Sequence, residues 1–220
     1  MEKFSETLKN SSSEIWYQSH EDHPFVRSIG DGSLSLERFQ YFMKQDYVFL
    51  IEYCKVISLA VSKSVDLEIM TKWSDLLNET LNVEMDLHRT FCRDFGISEE
   101  ELENTFPDSI TSAYTDFLVK TAYEGNINEI AVSLLPCQWG YDEIARRFCD
   151  VSKLDQKSFH VRWINGYNSP EYHEMTIWLK QYVDNIGDQT NIIREKMQRI
   201  FYISTRHEFM FWENVWNLGR

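Results

Sequence analysis

Ile130-Ala131-Val132-Ser133-Leu134-Leu135-Pro136-Cys137-Gln138-Trp139-Gly140-Tyr141-Asp142-Glu143-Ile144 reads as helix on both sides of a proline. Ile130, Leu134, Cys137, Tyr141, Ile144 and Phe148 recur at helical spacing, so one apolar face passes Pro136 without losing phase. Proline in a helix interior costs about 3 kcal/mol, because it lacks a backbone N–H and its ring crowds the preceding turn. The Val132 carbonyl loses its usual donor, and a kink is expected beside the Cys137 thiol. Gly140 lets another backbone or a ligand come close to that face.

Outward from this stretch the apolar spacing stays helical, and strand-like alternation never holds for long. Eight glycines and four prolines are the main punctuation, which is little for 220 residues. An opening helix is predicted through about Ser19, followed by His23-Pro24 and by a Gly30-Asp31-Gly32 turn. Ser35 caps a helix to about Ser62, and the next runs from about Asp66 to Phe95 and stops at Gly96. A loop with Pro107 leads to a helix over about Ile110 to Glu124. Asn126 and Glu129 form a capping-box pattern for the helix that carries Pro136. A short helix near Phe159 to Ile164 and a Gly166-Tyr167-Asn168 turn precede Ser169-Pro170-Glu171, which starts a helix ending at Gly187. A last long helix reaches about Asn217. No repeat, linker or low-complexity tract interrupts the series, so the expectation is one all-α domain, residues 1–220.

Charge narrows the partners. With 22 Lys and Arg against 35 Asp and Glu, the net charge of -13 supplies no basic footprint for nucleic acid or an anionic membrane. Met1-Glu2-Lys3-Phe4-Ser5-Glu6 has no cationic region followed by an apolar run, and no stretch approaches the roughly 20 apolar residues of a membrane span. A cytoplasmic location is expected. Cys54, Cys92, Cys137 and Cys149 then read as reduced thiols rather than a disulfide framework, and no C-x-x-C pair is present. Cys54, Cys92 and Cys149 read as small buried hydrophobes, and Glu99-Glu100-Glu101 as a solvated helix start.

Three polar side chains interrupt apolar faces. Asp46 shares its face with Phe39, Phe42, Met43, Leu50, Tyr53 and Ile57. Cys137 lies on the face already described, and Glu208 is surrounded by Phe201, Ser204, Phe211, Trp212 and Val215. A carboxylate on such a face must be hydrogen-bonded, paired, protonated or open to a polar ligand cavity. For each acid alone, a structural bond to Arg, Tyr or backbone explains the position; three such groups on three helices favour a ligand site, since bundles build sites from inward side chains. A metal reading rests on Glu84 and His88, four apart on one face, and on the looser His20-x-x-His23 spacing.

Gln45-Asp46-Tyr47-Val48-Phe49-Leu50, Leu134-Leu135-Pro136-Cys137-Gln138-Trp139, Trp163-Ile164-Asn165-Gly166-Tyr167 and Arg206-His207-Glu208-Phe209-Met210-Phe211-Trp212 together resemble the motifs of the TenA family. These are the thiaminase II, or aminopyrimidine aminohydrolase, enzymes of thiamin salvage. The resemblance extends back to His23-Pro24-Phe25-Val26 and the Gly30-Asp31-Gly32 turn, and so covers nearly the whole chain. It implies a helical bundle of the haem-oxygenase-like type, a homotetramer, a small aminopyrimidine substrate, and no metal or other cofactor.

The resemblance also assigns roles. Cys137 would be the nucleophile that adds to the pyrimidine carbon next to N1, Glu208 the acid at N1, and Asp46 the anchor of the N3 and 4-amino edge. All three would have to converge on one small ring. Tyr114, Tyr141 and Tyr167 match the family's pocket tyrosines, which would wall a flat ring. Phe49 departs from the bacterial form, which has tyrosine there, and Gln138 replaces a frequent tyrosine. The reaction implied is hydrolysis of 4-amino-5-aminomethyl-2-methylpyrimidine to the hydroxymethylpyrimidine, with its N-formyl form and thiamin as further candidate substrates. The alternatives are a non-catalytic pyrimidine-binding or regulatory protein and a di-metal oxidase of the same fold.

Overall fold

The computed structural model describes residues 2–188 and 190–220, and among them every regular element is helical. In chain order these are α1 (Phe4–Ser11), α2 (Ser13–Trp16) with a π turn (Tyr17–Glu21), α3 (Pro24–Asp31), α4 (Leu36–Ser62) and α5 (Leu67–Glu79). A second π turn (Thr80–Glu84) joins α5 to α6 (Met85–Asp94), followed by α7 (Glu99–Glu103), α8 (Ser109–Glu124) and α9 (Ile127–Arg147). Then come α10 (Phe159–Tyr167), α11 (Pro170–Asp184) with a 3₁₀ turn (Asn185–Asp188), and α12 (Asn191–Trp216). None of these helices is long and apolar enough to cross a membrane. The contacts divide the chain into two compact units, Met1–Leu34 with Ala131–Glu213, and Ser35–Ile130 with Asn214–Arg220.

In the Ser35–Ile130 unit, α4 packs along α8 and α5 and against α6. Its start is fixed by the Ser35 hydroxyl, which accepts from the Arg38 N–H. Asp66, Ser98 and Asp108 cap α5, α7 and α8 in the same way, each such cap contributing about 1 kcal/mol. At the end of α6, Ile97 N–H bonds the Cys92 carbonyl at 2.9 Å and Gly96 N–H bonds that of Arg93 at 3.1 Å. This closure puts Gly96 at φ +75°, where a glycine avoids the Cβ penalty. The end of α8 is closed by a side chain instead: Lys63 Nζ donates to the carbonyls of Ala122 at 2.5 Å and Gly125 at 2.6 Å.

In the other unit, Lys9 on α1 grips Glu143 on α9 at 2.6 Å and 2.8 Å, and the Trp16 indole donates to the same carboxylate at 3.2 Å. Trp16 stacks on Phe201 of α12 with centroids 5.9 Å apart, and Phe25 of α3 stacks on Trp212 at 5.0 Å. Residues 131 to 142 of α9 are all buried, so this part of the helix is enclosed rather than amphipathic. Its polar members are met from neighbouring helices. Gln138 donates to the Thr176 hydroxyl at 3.1 Å, and Asp142 accepts from His173 Nδ1 at 2.9 Å.

Most predicted helices are present, with instructive differences. The capping pattern at α9 is real: the Asn126 side-chain oxygen accepts from the Asn128 and Glu129 N–H groups, while its amide donates to Glu129 Oε1 at 3.3 Å. Helix α9 continues through Pro136 without a break. The opening helix is in fact α1, α2 and a π turn, and the span expected from Asp66 to Phe95 is α5 and α6 around the second π turn. A single inserted residue produces such a turn, which shifts the helix phase with no glycine or proline to mark the break. His23-Pro24 starts α3, because His23 Nδ1 accepts from the Phe25 N–H and Pro24 occupies the first helical position, and of the expected turn Gly30 and Asp31 end that helix while Gly32 takes φ +79°. Gly166 and Tyr167 belong to α10. Cys149 is exposed, since it lies past the end of α9, whereas Cys54, Cys92 and Cys137 are buried; none of the four is in a disulfide.

Candidate active site

Asp46 sits on the buried face of α4, 3% exposed. Its Oδ2 accepts a 2.7 Å hydrogen bond from Nε2 of His88, a residue of α6 that is 0% exposed. The other imidazole nitrogen, Nδ1, meets the Glu84 carbonyl at 2.8 Å. A carbonyl only accepts, so Nδ1 carries a hydrogen. Burial pulls the His88 pKa down, but the Asp46 hydrogen bond and charge, with the charge and carbonyl of Glu84, outweigh it and hold the value above 6.5. The Asp46 bond and the nearby acids thus favour the protonated form of the ring. The carbonyl that orients the ring belongs to the last residue of the π turn, an example of such a turn aiming a buried side chain.

The residues flanking Asp46 are tied down on the same helix. Gln45 accepts from the Asp108 N–H at 3.0 Å and the Thr111 hydroxyl at 2.8 Å, and donates to the Phe106 carbonyl at 3.2 Å. Tyr47 donates to Glu103 and receives Arg89 at 3.3 Å. One turn along α4, the Phe49 ring lies 4.9 Å from that of Tyr114 on α8 and 5.7 Å from that of Tyr53. Phe49 is 3% exposed, so a hydroxyl added there would enter a dry environment.

Cys137 is buried on α9, one residue after the proline. Ser204 of α12 donates to the Ser133 carbonyl at 2.6 Å, bringing a side-chain donor to the turn where proline removes a backbone one. One turn further on, the face is aromatic: Tyr141 lies 5.0 Å from Tyr167 and 5.3 Å from Trp212, and Tyr167 packs 4.8 Å from Trp163. Glu208 is on α12, 1% exposed, one turn after Ser204. The space beside Gly140 is filled by the His20 ring.

Asp46, Phe49 and Tyr114 thus belong to the Ser35–Ile130 unit, and Cys137, Tyr141, Tyr167 and Glu208 to the other. Within each unit the ring neighbours expected to share a wall do meet: Phe49 with Tyr114, and Tyr141 with Tyr167. All seven are buried. The sequence reading missed His88 as the partner of Asp46, having weighed it only as a metal ligand with Glu84. A spacing of 42 residues gives no local signal, and the burial of Asp46 was the one available hint that some partner had to exist.

The metal alternative loses its ligands to these contacts. Both nitrogens of His88 are engaged, with Asp46 and with a backbone carbonyl. His20 and His23 do not act as a pair: His20 Nδ1 bonds Ser19, while His23 accepts from Phe25 N–H and donates through Nε2 to Glu213 at 3.0 Å. Among the described residues no three His, Cys, Asp or Glu side chains cluster as a metal site.

Residues 10–218 match the TENA/THI-4/PQQC family. An aminopyrimidine aminohydrolase of Halalkalibacterium halodurans is 39% identical over 97% of this chain and 96% of its own. Among solved structures, a TenA homologue protein from P. horikoshii OT3 superposes with a TM-score of 0.89 at 29% identity, covering 98% of this chain and 99% of that one. A domain of Shewanella denitrificans OS217 with a haem-oxygenase-like fold superposes with a TM-score of 0.74 at 12% identity, over 97% and 92% of the two chains. At that identity the likeness speaks for the fold alone, and it places the helical architecture in the haem-oxygenase-like class expected from the sequence. With the match running almost from end to end, the chain belongs to the TENA/THI-4/PQQC family.

Proposed function

We propose that the protein is an aminopyrimidine aminohydrolase of thiamin salvage, working as one domain over residues 1–220 and converting 4-amino-5-aminomethyl-2-methylpyrimidine to the hydroxymethylpyrimidine. The observation that carries this reading is the burial of Asp46, Cys137 and Glu208, each on its own helix, in a chain related end to end to enzymes of that name. Their convergence on one ring is the content of the proposal.

The chemistry follows from the substrate. The Cys137 thiolate adds to the ring carbon next to N1, which breaks aromaticity and places an electron pair on N1; Glu208 supplies a proton there. The pair then returns to expel the exocyclic amine from its protonated –CH2–NH3⁺ form, so that it leaves as ammonia. Water adds to the resulting exocyclic methylene, the C–S bond breaks, the proton on N1 is released and the ring regains aromaticity. Asp46 accepts from the 4-amino edge throughout, and Phe49, Tyr114, Tyr141 and Tyr167 supply flat walls, each stacked face contributing about 1 kcal/mol beyond area burial.

No resident metal or other cofactor enters these steps. The net charge of -13 supports a neutral or cationic small molecule over nucleic acid or an anionic membrane. A homotetrameric, cytoplasmic enzyme is the rest of the proposal, and it rests on the family. Incubating the purified protein with the aminomethylpyrimidine, its N-formyl form and thiamin, and identifying the products, tests the reading; release of hydroxymethylpyrimidine from the first is expected, and binding without turnover of any of the three would favour a regulatory protein.

A further inference from the structure

The pair formed by Asp46 and His88 is more than a way to bury an acid. A single neutral donor would have satisfied Oδ2. Here the donor is a fully buried ring whose far nitrogen is itself clamped on the Glu84 carbonyl at 2.8 Å, so neither its position nor its tautomer can drift. The acid it meets is the one assigned above to the amino edge of the substrate. We infer that His88 is the positioning residue of that acid: it holds Asp46 by Oδ2, in one rotamer and as an anion, so that the substrate edge it receives must offer N–H donors. The inference rests on the functional reading given above and deepens it, because an acceptor-only carboxylate selects a ring carrying an amino group over one carrying a carbonyl at the same position.

The electrostatic surroundings agree with this role. The elements packed on α6 are α4, α7 and the π turn. From α4 comes Asp46, and from the π turn comes Glu84, both of which favour the charged ring. Three of the four acids of α7 are engaged elsewhere, Glu99 with Arg93, Glu101 with Lys44 and Glu103 with Tyr47, and the fourth, Glu100, is exposed. Without a charged donor, a buried Asp46 carboxylate would be left uncompensated.

Two measurements decide the matter. In a ¹⁵N NMR titration of the imidazoles, the His88 midpoint is expected above 6.5 and should fall by about one pH unit or more in Asp46→Asn. A midpoint that does not move overturns the inference, whatever the activity. In kinetics, His88→Leu should lower kcat/KM for the aminomethylpyrimidine about 10- to 100-fold and move the acid limb of its pH profile upward, while His88→Gln, which keeps a neutral donor near Nε2 without the charge, should recover part of the loss and still show the shifted limb. Equal loss in both variants with an unmoved acid limb would assign His88 to packing and overturn the role. If the wild-type protein hydrolyses no aminopyrimidine, the functional reading fails on its own, and the titration still shows whether His88 holds Asp46 ionised.

Discussion

The imidazole of His20 occupies the space that any side chain at Gly140 would need: a Cβ built there would lie 2.2 Å from His20 Nε2. Gly140 follows Cys137 by three positions on α9, so the ring fills a slot beside the thiol-bearing face. His20 has little room to yield, being 0% exposed, packed 4.3 Å from the Trp16 ring and bonded to Ser19 at 2.7 Å. Gly140→Ala should therefore destabilise the fold by about 1–3 kcal/mol, the usual scale for overpacking, despite the roughly 1 kcal/mol that alanine gains in helix propensity. Urea denaturation of the two proteins checks this, and equal midpoints would contradict it.

His20 also predicts a pH dependence. The Ser19 hydroxyl donates to the Trp16 carbonyl at 3.1 Å and so accepts from His20 Nδ1–H, which leaves Nε2 as a buried lone pair without a partner. Burial first, and then the charge of Lys9, lower its pKa to about 3. The folded value lies below the unfolded value of about 6.5, so the stability His20 contributes is present above pH 6.5 and is lost as pH falls toward 3. Over that window the slope should approach about 1.4 kcal/mol per pH unit. His23 and His207 shift in the same direction, so the His20 share is read as the difference between wild type and His20→Phe, whose stability should depend less steeply on pH between 4 and 6 (roughly).

The catalytic assignment yields the sharpest contrasts. Cys137→Ser should fold and bind the aminopyrimidine but not hydrolyse it, because a hydroxyl is far less ionised than a thiol and nothing among the predicted roles would activate it. Glu208→Gln should lower kcat by about 100-fold or more if the carboxyl supplies the ring proton. Calorimetric binding beside steady-state rates separates the two effects, and wild-type turnover in either variant would reject the mechanism.

Periodicity carried much of this in advance. Phe39, Phe42, Met43 and Asp46 share a face by counting alone, and all four are buried on α4. Caps at Ser35 and Asn126 were equally legible, because a cap is a local bond between residues two or three apart. What counting could not reach was either long in range or phase-breaking. The His88 bond to Asp46 joins two helices, the Ser204 bond to Ser133 spans 71 residues, and the π turn at Thr80–Glu84 changes helix phase without changing composition. The functional roles came from the family motifs rather than from the physics of any one helix.

Substrate preference gives the last test. Thiamin carries the better leaving group, a thiazolium, yet the residues assigned here, Asp46, Glu208 and the aromatic walls, all address the pyrimidine. The aminomethylpyrimidine should therefore show the highest kcat/KM, thiamin a lower one and thiamin diphosphate the lowest. A diphosphate would meet an acidic protein, of net charge -13, whose sequence has no phosphate-binding glycine loop. Phe49 sharpens the comparison. If the tyrosine hydroxyl found at this position in the bacterial form orients the thiol, Phe49→Tyr should raise kcat for all three compounds in proportion, since it acts on the nucleophile they share. The gain requires that the new hydroxyl find an acceptor in a position that is 3% exposed; an unsatisfied one would cost about 1–3 kcal/mol of stability instead. Measuring kcat/KM for the three compounds with wild type and Phe49→Tyr, beside their melting temperatures, separates these outcomes, and a clear preference for thiamin or its diphosphate would overturn the assignment of the site to the pyrimidine.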